Sequence, residues 1–302
     1  MKEPTVPLPP PARFDVGWGS AYERWAVYAL LRRWLGKWKV ETALEGPVDG
    51  MAGIPGLHLI PAAELGAHVT VLVPTSEAAE TVRGVYRNLG LENRLTVRTE
   101  DTFPSGETFD LVLSYAAAPC VGPWEEYLAA GAACARRIFV VSVSHRASYG
   151  VFLRKALRLL EPGSRPAELF DHPSTDARVL EAVLRRFGPI VEDAYVDCPW
   201  WPDLFVPTGE TLFSGTVGRL PLGKRFLRGA RARPPREGEA FVYGPGRFPF
   251  LGGPGFAEEV EPALRRHPVF DGAPRLLSAL FAHHRVRAVA RDGPAPGEVR
   301  PK

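Results

Sequence analysis

The sequence predicts a doubly wound α/β domain: a mostly parallel seven-stranded sheet with helices on both faces and an irregular insertion before the last strand. The first sign is a set of short apolar, β-branched runs: HVTVLV at 68–73, FDLVLSY at 109–115 and IFVVSV at 138–143. Continuous apolarity suits parallel strands covered on both faces. The second is that helical patterns with caps and stops separate these runs, as right-handed crossovers require. The third is residues 40–56, VETALEGPVDGMAGIPG, where a strand-like run ends in an acidic, glycine-rich turn before a helical pattern. Strand, glycine turn and helix present backbone N–H groups to a nucleotide-like ligand.

Taken in order, residues 1–13 are proline-rich and read as extended. Ser20 with Glu23 reads as a capping box opening a helix to about Trp38. Trp25, Leu30 or Leu31, Trp34 and Trp38 give that helix a packing face, and Tyr22 or Arg24 would reach a ligand if it also served as a lid. The first strand is Val40–Glu45, followed by a helix over 57–65 that Gly66 ends. His68–Val73 is the second strand, stopped by Pro74, and Thr75 or Ser76 caps the next helix, which stops at Gly90. Arg94–Val97 is the third strand and Phe109–Tyr115 the fourth. A helix opens with Pro123 at its first position and carries Arg136 and Arg137 in its last turn. Ile138–Val143 is the fifth strand, and a helix runs from Ser148 to Leu160. Ser174 caps a helix over 174–187, Ile190–Asp197 is the sixth strand, and Arg285–Ala290 the last.

The domain division follows: an extended tail and helix over 1–38, a ligand-binding α/β domain over 39–197, a Pro-, Gly-, Arg- and Phe-rich insertion over 198–283, and a last strand with a polar tail over 284–302.

Composition narrows the classes. The 302 residues are 45% hydrophobic and 24% charged, ordinary for a globular protein with its own core. A net charge of +3 is too mild to point to nucleic acid or a membrane. Cys120, Cys134 and Cys198 are scattered without CxxC spacing, which excludes a disulfide framework and a cysteine zinc site, and fits a reduced, cytoplasmic setting. No apolar run reaches spanning length and no signal peptide pattern opens the chain. Asp171-His172 and His283-His284 lack a third ligand at metal spacing, so no metal is expected.

Residues 99–119, TEDTFPSGETFDLVLSYAAAP, carry the sharpest local pattern: an acidic pair after the third strand, a short loop, then an F-D-x-V strand. With the glycine turn before it and IFVVSV after it, this stretch resembles the class I S-adenosylmethionine-dependent methyltransferase family, over roughly residues 40–197 and the last strand. That resemblance implies a Rossmann-like fold, S-adenosylmethionine as cofactor and a small-molecule methyl acceptor. It places Asp101 or Glu100 on the adenine amine, Ser114 and Tyr115 near the sulfonium, and Glu45, Gly46, Asp49, Gly50 and Gly53 around the amino acid head. Two departures stand out. Pro47 and Val48 interrupt the usual compact G-x-G-x-G turn, and Pro74 occupies the place of the acidic ribose clamp, leaving Thr75, Ser76 or Glu77 to substitute.

His145 follows the fifth strand, where some relatives place a general base; a histidine near neutral pKa suits that work. Trp200 and Trp201 would wall a pocket for a flat or apolar substrate, or serve as core under the insertion. The basic run 219–236 would bind phosphates or RNA, or be a solvated loop; it lacks interleaved aromatics, and nucleic acid is not the expected partner. A nicotinamide-dependent oxidoreductase of the short-chain type would need Tyr-x-x-x-Lys, and Tyr149 is followed by Leu153. The remaining rival is a methyltransferase-like domain that binds without catalysing.

Overall fold

The computed structural model describes residues 14–15, 18–47, 56–160, 171–200, 248–249, 261–265 and 269–291. Its centre is a seven-stranded sheet built from β2 (Thr42–Glu45), β3 (His68–Val73), β4 (Leu95–Thr99), β5 (Phe109–Tyr115), β6 (Ala135–Ser144), β7 (Ile190–Val196) and β9 (His284–Ala290). The order across the sheet is β4-β3-β2-β5-β6-β9-β7. β4, β3, β2, β5 and β6 pair in parallel, and β9 is antiparallel to both β6 and β7. This is the mostly parallel, Rossmann-like α/β sheet expected, with the last strand inserted between the fifth and sixth. A two-residue ladder of β1 (Phe14–Asp15) with β8 (Phe248–Pro249) lies outside it.

Helices cover both faces. α1 (Trp18–Leu35), α2 (Ile60–Glu64) and α3 (Ser76–Asn88) bury Leu31, Trp34, Ile60, Val82 and Tyr86 against Ala43, Val71, Leu113 and Tyr115. α4 (Trp124–Cys134) and α6 (Ala177–Arg185) bury Leu128, Leu180 and Leu184 against Leu44, Val112, Phe139 and Val289 on the other face. α5 (Tyr149–Leu160), α7 (Glu261–Leu264) and α8 (Arg275–Phe281) complete the described helices. Successive strand side chains point to opposite faces, so the two cores separate residue by residue along each strand.

Several boundaries differ from the sequence expectations, each for a local reason. α1 starts at Trp18, so Ser20 is inside the helix rather than its cap. The carboxylate of Glu23 does not close a capping box; it points to Tyr115 and His284. Pro123 is the residue before α4, not its first helical residue. Arg136 and Arg137 belong to β6 rather than to the helix end, and Arg136 pairs with the buried Asp110 at 2.7 Å. The cap of α6 is Asp176, whose carboxylate accepts from Arg178 and Val179 N–H groups; Ser174 sits in a separate 3-10 turn before it. On β7 and β9 a structural ion cluster closes the sheet edge: Asp193 takes Arg285 and Arg275, each at 2.6 Å, and the buried Arg287 lies 3.6 Å from it.

Candidate functional site

In parallel α/β sheets ligands bind at the carboxyl edge where the strand order reverses, which here lies between β2 and β5. Glu45 ends β2 at this place and is buried. Its Oε1 accepts from the His58 backbone N–H at 3.2 Å and lies 2.8 Å from His58 Nδ1; its Oε2 accepts from Leu59 N–H at 3.0 Å. The carboxylate thus ties the far end of the turn back to the strand. Gly46 donates its N–H to Leu113 O at 2.9 Å, and a Cβ there would sit 2.9 Å from the Phe103 ring and 3.0 Å from the Tyr127 hydroxyl. Gly56, at φ +77, lies so close to β3 that a Cβ would come within 2.4 Å of Val71. Glycine is therefore required at both ends of the turn.

The β5–β9 side of the edge carries a second group of polar residues. α1 delivers Glu23, β5 ends in Tyr115, β7 leads into Asp197, and β9 starts at His284. Glu23 Oε1 accepts from the Tyr115 hydroxyl at 2.8 Å and is 2.9 Å from His284 Nε2. Asp197 Oδ2 is 2.8 Å from His283 Nδ1. The rings of His58 and Tyr115 stack at 3.9 Å, which joins this group to Glu45. Tyr22 donates to Asp271 Oδ2, which also accepts the Cys198 N–H at 3.0 Å. Two residues here hold left-handed backbone without being glycine, Ala116 at φ 48 and Asp197 at φ 57. Such conformations gather at functional sites because surrounding contacts must enforce them.

Electrostatics follow from burial. Desolvation alone would raise the Glu23 carboxyl, but His284 and the Tyr115 hydroxyl hold it ionised, down at about 2. Burial raises Asp197 to about 6, with His283 opposing. Burial, then Arg285, lowers His145 to about 4, so its ring is neutral at physiological pH. Burial and Asp271 raise the Tyr22 hydroxyl and the Cys198 thiol, leaving both protonated. With Glu45 and Asp271 the edge gathers carboxylates, and Glu100 and Asp101 extend the series past the end of β4.

The sequence-predicted residues separate into groups. Thr75 follows β3 and caps α3, its Oγ1 accepting from Ala78 N–H at 3.2 Å. Asp101 is exposed and makes no hydrogen bond or ion pair among the described residues; Glu100 Oε1 is 4.0 Å from Arg98. Ser114 and Tyr115 do not face one site: Tyr115 joins the α1 face, while Ser114 alternates to the α4 face with a buried hydroxyl that has no partner among the described residues. His145 is buried after β6, edge-on to Tyr195, and its Nε2 has no such partner either. Trp200 is 44% exposed, and its carbonyl accepts from the Tyr149 hydroxyl. Asp49, Gly50, Gly53, Trp201 and the basic run 219–236 lie outside the described residues.

Glu23, His58, Asp197, His284 and Asp271 are the residues that sequence reading did not assign. The available signal was a carboxylate between Tyr22 and Trp25 on an apolar helix, and a histidine pair directly before an apolar strand.

No family model matches the chain, and no curated protein matches it. Solved structures do. Magnesium protoporphyrin IX methyltransferase from Synechocystis PCC 6803, with bound SAH, is 18% identical with a TM-score of 0.45, over 56% of this chain and 75% of that one. The MccD protein is 12% identical with a TM-score of 0.45, over 91% of this chain and 98% of that one. An O-methyltransferase family protein from Burkholderia thailandensis is 13% identical with a TM-score of 0.39, over 54% and 48%. No described helix is long and apolar enough to cross a membrane.

Proposed function

We propose that the protein is a class I S-adenosylmethionine-dependent methyltransferase acting on a small-molecule acceptor. The observation that carries this reading is the strand order, which reverses between β2 and β5, with Glu45 at the end of β2 and the exposed Asp101 just past the end of β4. The residues present fit the cofactor. Its ammonium and adenine amine are hydrogen-bond donors, which carboxylates accept. Asp101, exposed and unpaired among the described residues, supports the reading as the residue that would accept from an adenine amine.

When bound, S-adenosylmethionine supplies an electrophilic methyl group on a good leaving group. The β2–β4 side, with the Glu45 turn, Thr75, Glu100 and Asp101, holds the cofactor. Glu45 acts there through the turn, because its oxygens already hold His58 and Leu59. The β5–β9 side, with Tyr115, Glu23, His284 and Trp200, receives the acceptor. His145, neutral and with Nε2 unpartnered among the described residues, is the candidate proton acceptor for a hydroxyl substrate. Positioning and exclusion of water supply much of the remaining rate, since the leaving group needs no activation.

The internal ties of Glu45 and Gly46 favour one second reading, a domain that binds without catalysing. Calorimetric titration with S-adenosylmethionine, S-adenosylhomocysteine and NADH tests the first. Micromolar binding of the first two, weakened by Asp101→Ala, is expected. Absence of both, or preference for NADH, overturns it. Binding without methyl transfer to any acceptor in a small-molecule panel would leave the second reading.

A further inference from the structure

We propose that Glu23, Asp197 and His284 form a binding site for one first-row divalent cation, of the Mn²⁺ or Zn²⁺ type. One ligand atom from each of the three lies within 4.8 Å of the others. The tightest edge, Glu23 Oε1 to His284 Nε2, is 2.9 Å. Ligand atoms bound to one ion at about 2.1 Å lie about 3 Å apart at right angles, so small side-chain rotations bring all three into a single coordination sphere.

A second observation points to a ligand independently of that proximity. Asp197 is 3% exposed, yet its Oδ1 has no hydrogen-bond partner among the described residues. A buried carboxylate oxygen without a donor is costly, and a cation is the partner that removes the cost. The backbone holds Asp197 in place. It sits at φ 57, its carbonyl accepts the His283 N–H at 2.8 Å, and its Oδ2 is fixed by His283 Nδ1 at 2.8 Å. Glu23 is fixed in the same manner by the Tyr115 hydroxyl at 2.8 Å. Hydrogen bonds from outside the coordination sphere that orient the ligands are a regular feature of metal centres.

The donor set selects the ion. An imidazole disfavours Ca²⁺ and Mg²⁺, and the absence of thiolate among the three disfavours Cu⁺. Two carboxylates and one imidazole also balance the charge of a divalent ion. Three protein ligands leave positions open, as in metal sites that bind a substrate oxygen. No local pattern signals this site, because the histidine pair lacks a third ligand nearby; Glu23 and Asp197 reach it only through the fold. The site stands on its own geometry whether or not the chain binds S-adenosylmethionine, and its test reads the ion directly.

The full chain, stripped with EDTA and dialysed, would be titrated with MnCl₂ and followed by loss of the free-ion electron paramagnetic resonance signal, then with ZnCl₂ as competitor. One saturable Mn²⁺ per chain, displaced by Zn²⁺, is expected. Asp197→Asn and His284→Gln should each weaken it by about 100-fold, and His283→Gln by about tenfold. No saturable binding of either ion to the wild-type chain overturns the proposal. So does unchanged affinity in a folded Asp197→Asn variant, an isosteric change that keeps an oxygen for His283; circular dichroism confirms that it is folded.

Discussion

At the Glu45 turn both carboxylate oxygens close back on the protein, whereas on the β5–β9 side Asp197 and His145 each keep a buried atom with no partner among the described residues. The two regions occupy the same edge of one sheet, and the His58–Tyr115 stack joins them. Buried polar groups are normally satisfied, so the unsatisfied atoms of Asp197 and His145 are points at which to test for a ligand. The glycine-rich stretch after β2 reads as functional in sequence, yet the Glu45 carboxylate is engaged with His58 and Leu59.

The sharpest way to break this contrast is Glu45→Ala. It leaves the His58 and Leu59 N–H groups buried without an acceptor and should cost about 4 kcal/mol of stability, read by denaturant unfolding. Glu45→Gln should recover part of that loss, because its one amide oxygen still accepts while its NH2 end faces a donor. If Glu45→Gln instead left stability intact and abolished S-adenosylmethionine binding, the carboxylate would be touching the cofactor and the contrast would fail.

His145 supplies a pH test on the other region. Its folded value is about 4 against an ordinary 6.5. Between those values the unfolded chain binds the extra proton, so stability rises with pH across the window and falls on acidification through it. The contribution is about 3 kcal/mol from pH 6.5 down to 4. His145→Gln should flatten the melting temperature against pH over that interval. An unchanged slope would mean that the ring is solvated in the folded protein.

Tyr115→Phe removes the hydroxyl that fixes Glu23 and leaves the ring stacked on His58. It should lower kcat by about 30-fold, equivalent to about 2 kcal/mol, with S-adenosylmethionine affinity almost unchanged. Equal losses in kcat and cofactor affinity would erase the division of the edge into a cofactor side and an acceptor side.

How much of this was legible depends on range. The strands at 68–73 and 109–115 were readable to the residue because their apolar, β-branched runs end at Pro74 and at the left-handed Ala116. The placement of the last strand between two earlier ones is a tertiary outcome that no local pattern encodes. Glu45 was found by position, but its partner His58 lies beyond a glycine turn of irregular length. Glu23 was misread because Ser20, three residues before it, imitates a capping box; the fold spends that carboxylate on Tyr115 and His284 instead. Alternation along β5 would have separated Ser114 from Tyr115 in advance, had the buried face been assigned first.

Thr75 gives the smallest and cleanest test. It follows Pro74, which occupies the place of the ribose clamp, and could substitute there; the structure gives its hydroxyl a local task, accepting from Ala78 N–H at the start of α3. A capping role predicts that Thr75→Ala costs about 1 kcal/mol of stability while Thr75→Ser costs little. It also predicts that both variants bind S-adenosylmethionine as the wild type does. A cofactor role predicts the reverse order of effects: affinity falls in Thr75→Ala while the melting temperature stays put. Because Thr75 is exposed and its bond is local, neither variant disturbs the core. The two readouts therefore separate a hydroxyl that organises a helix from one that holds a ribose, which is the same distinction that divides Glu45 from Asp197.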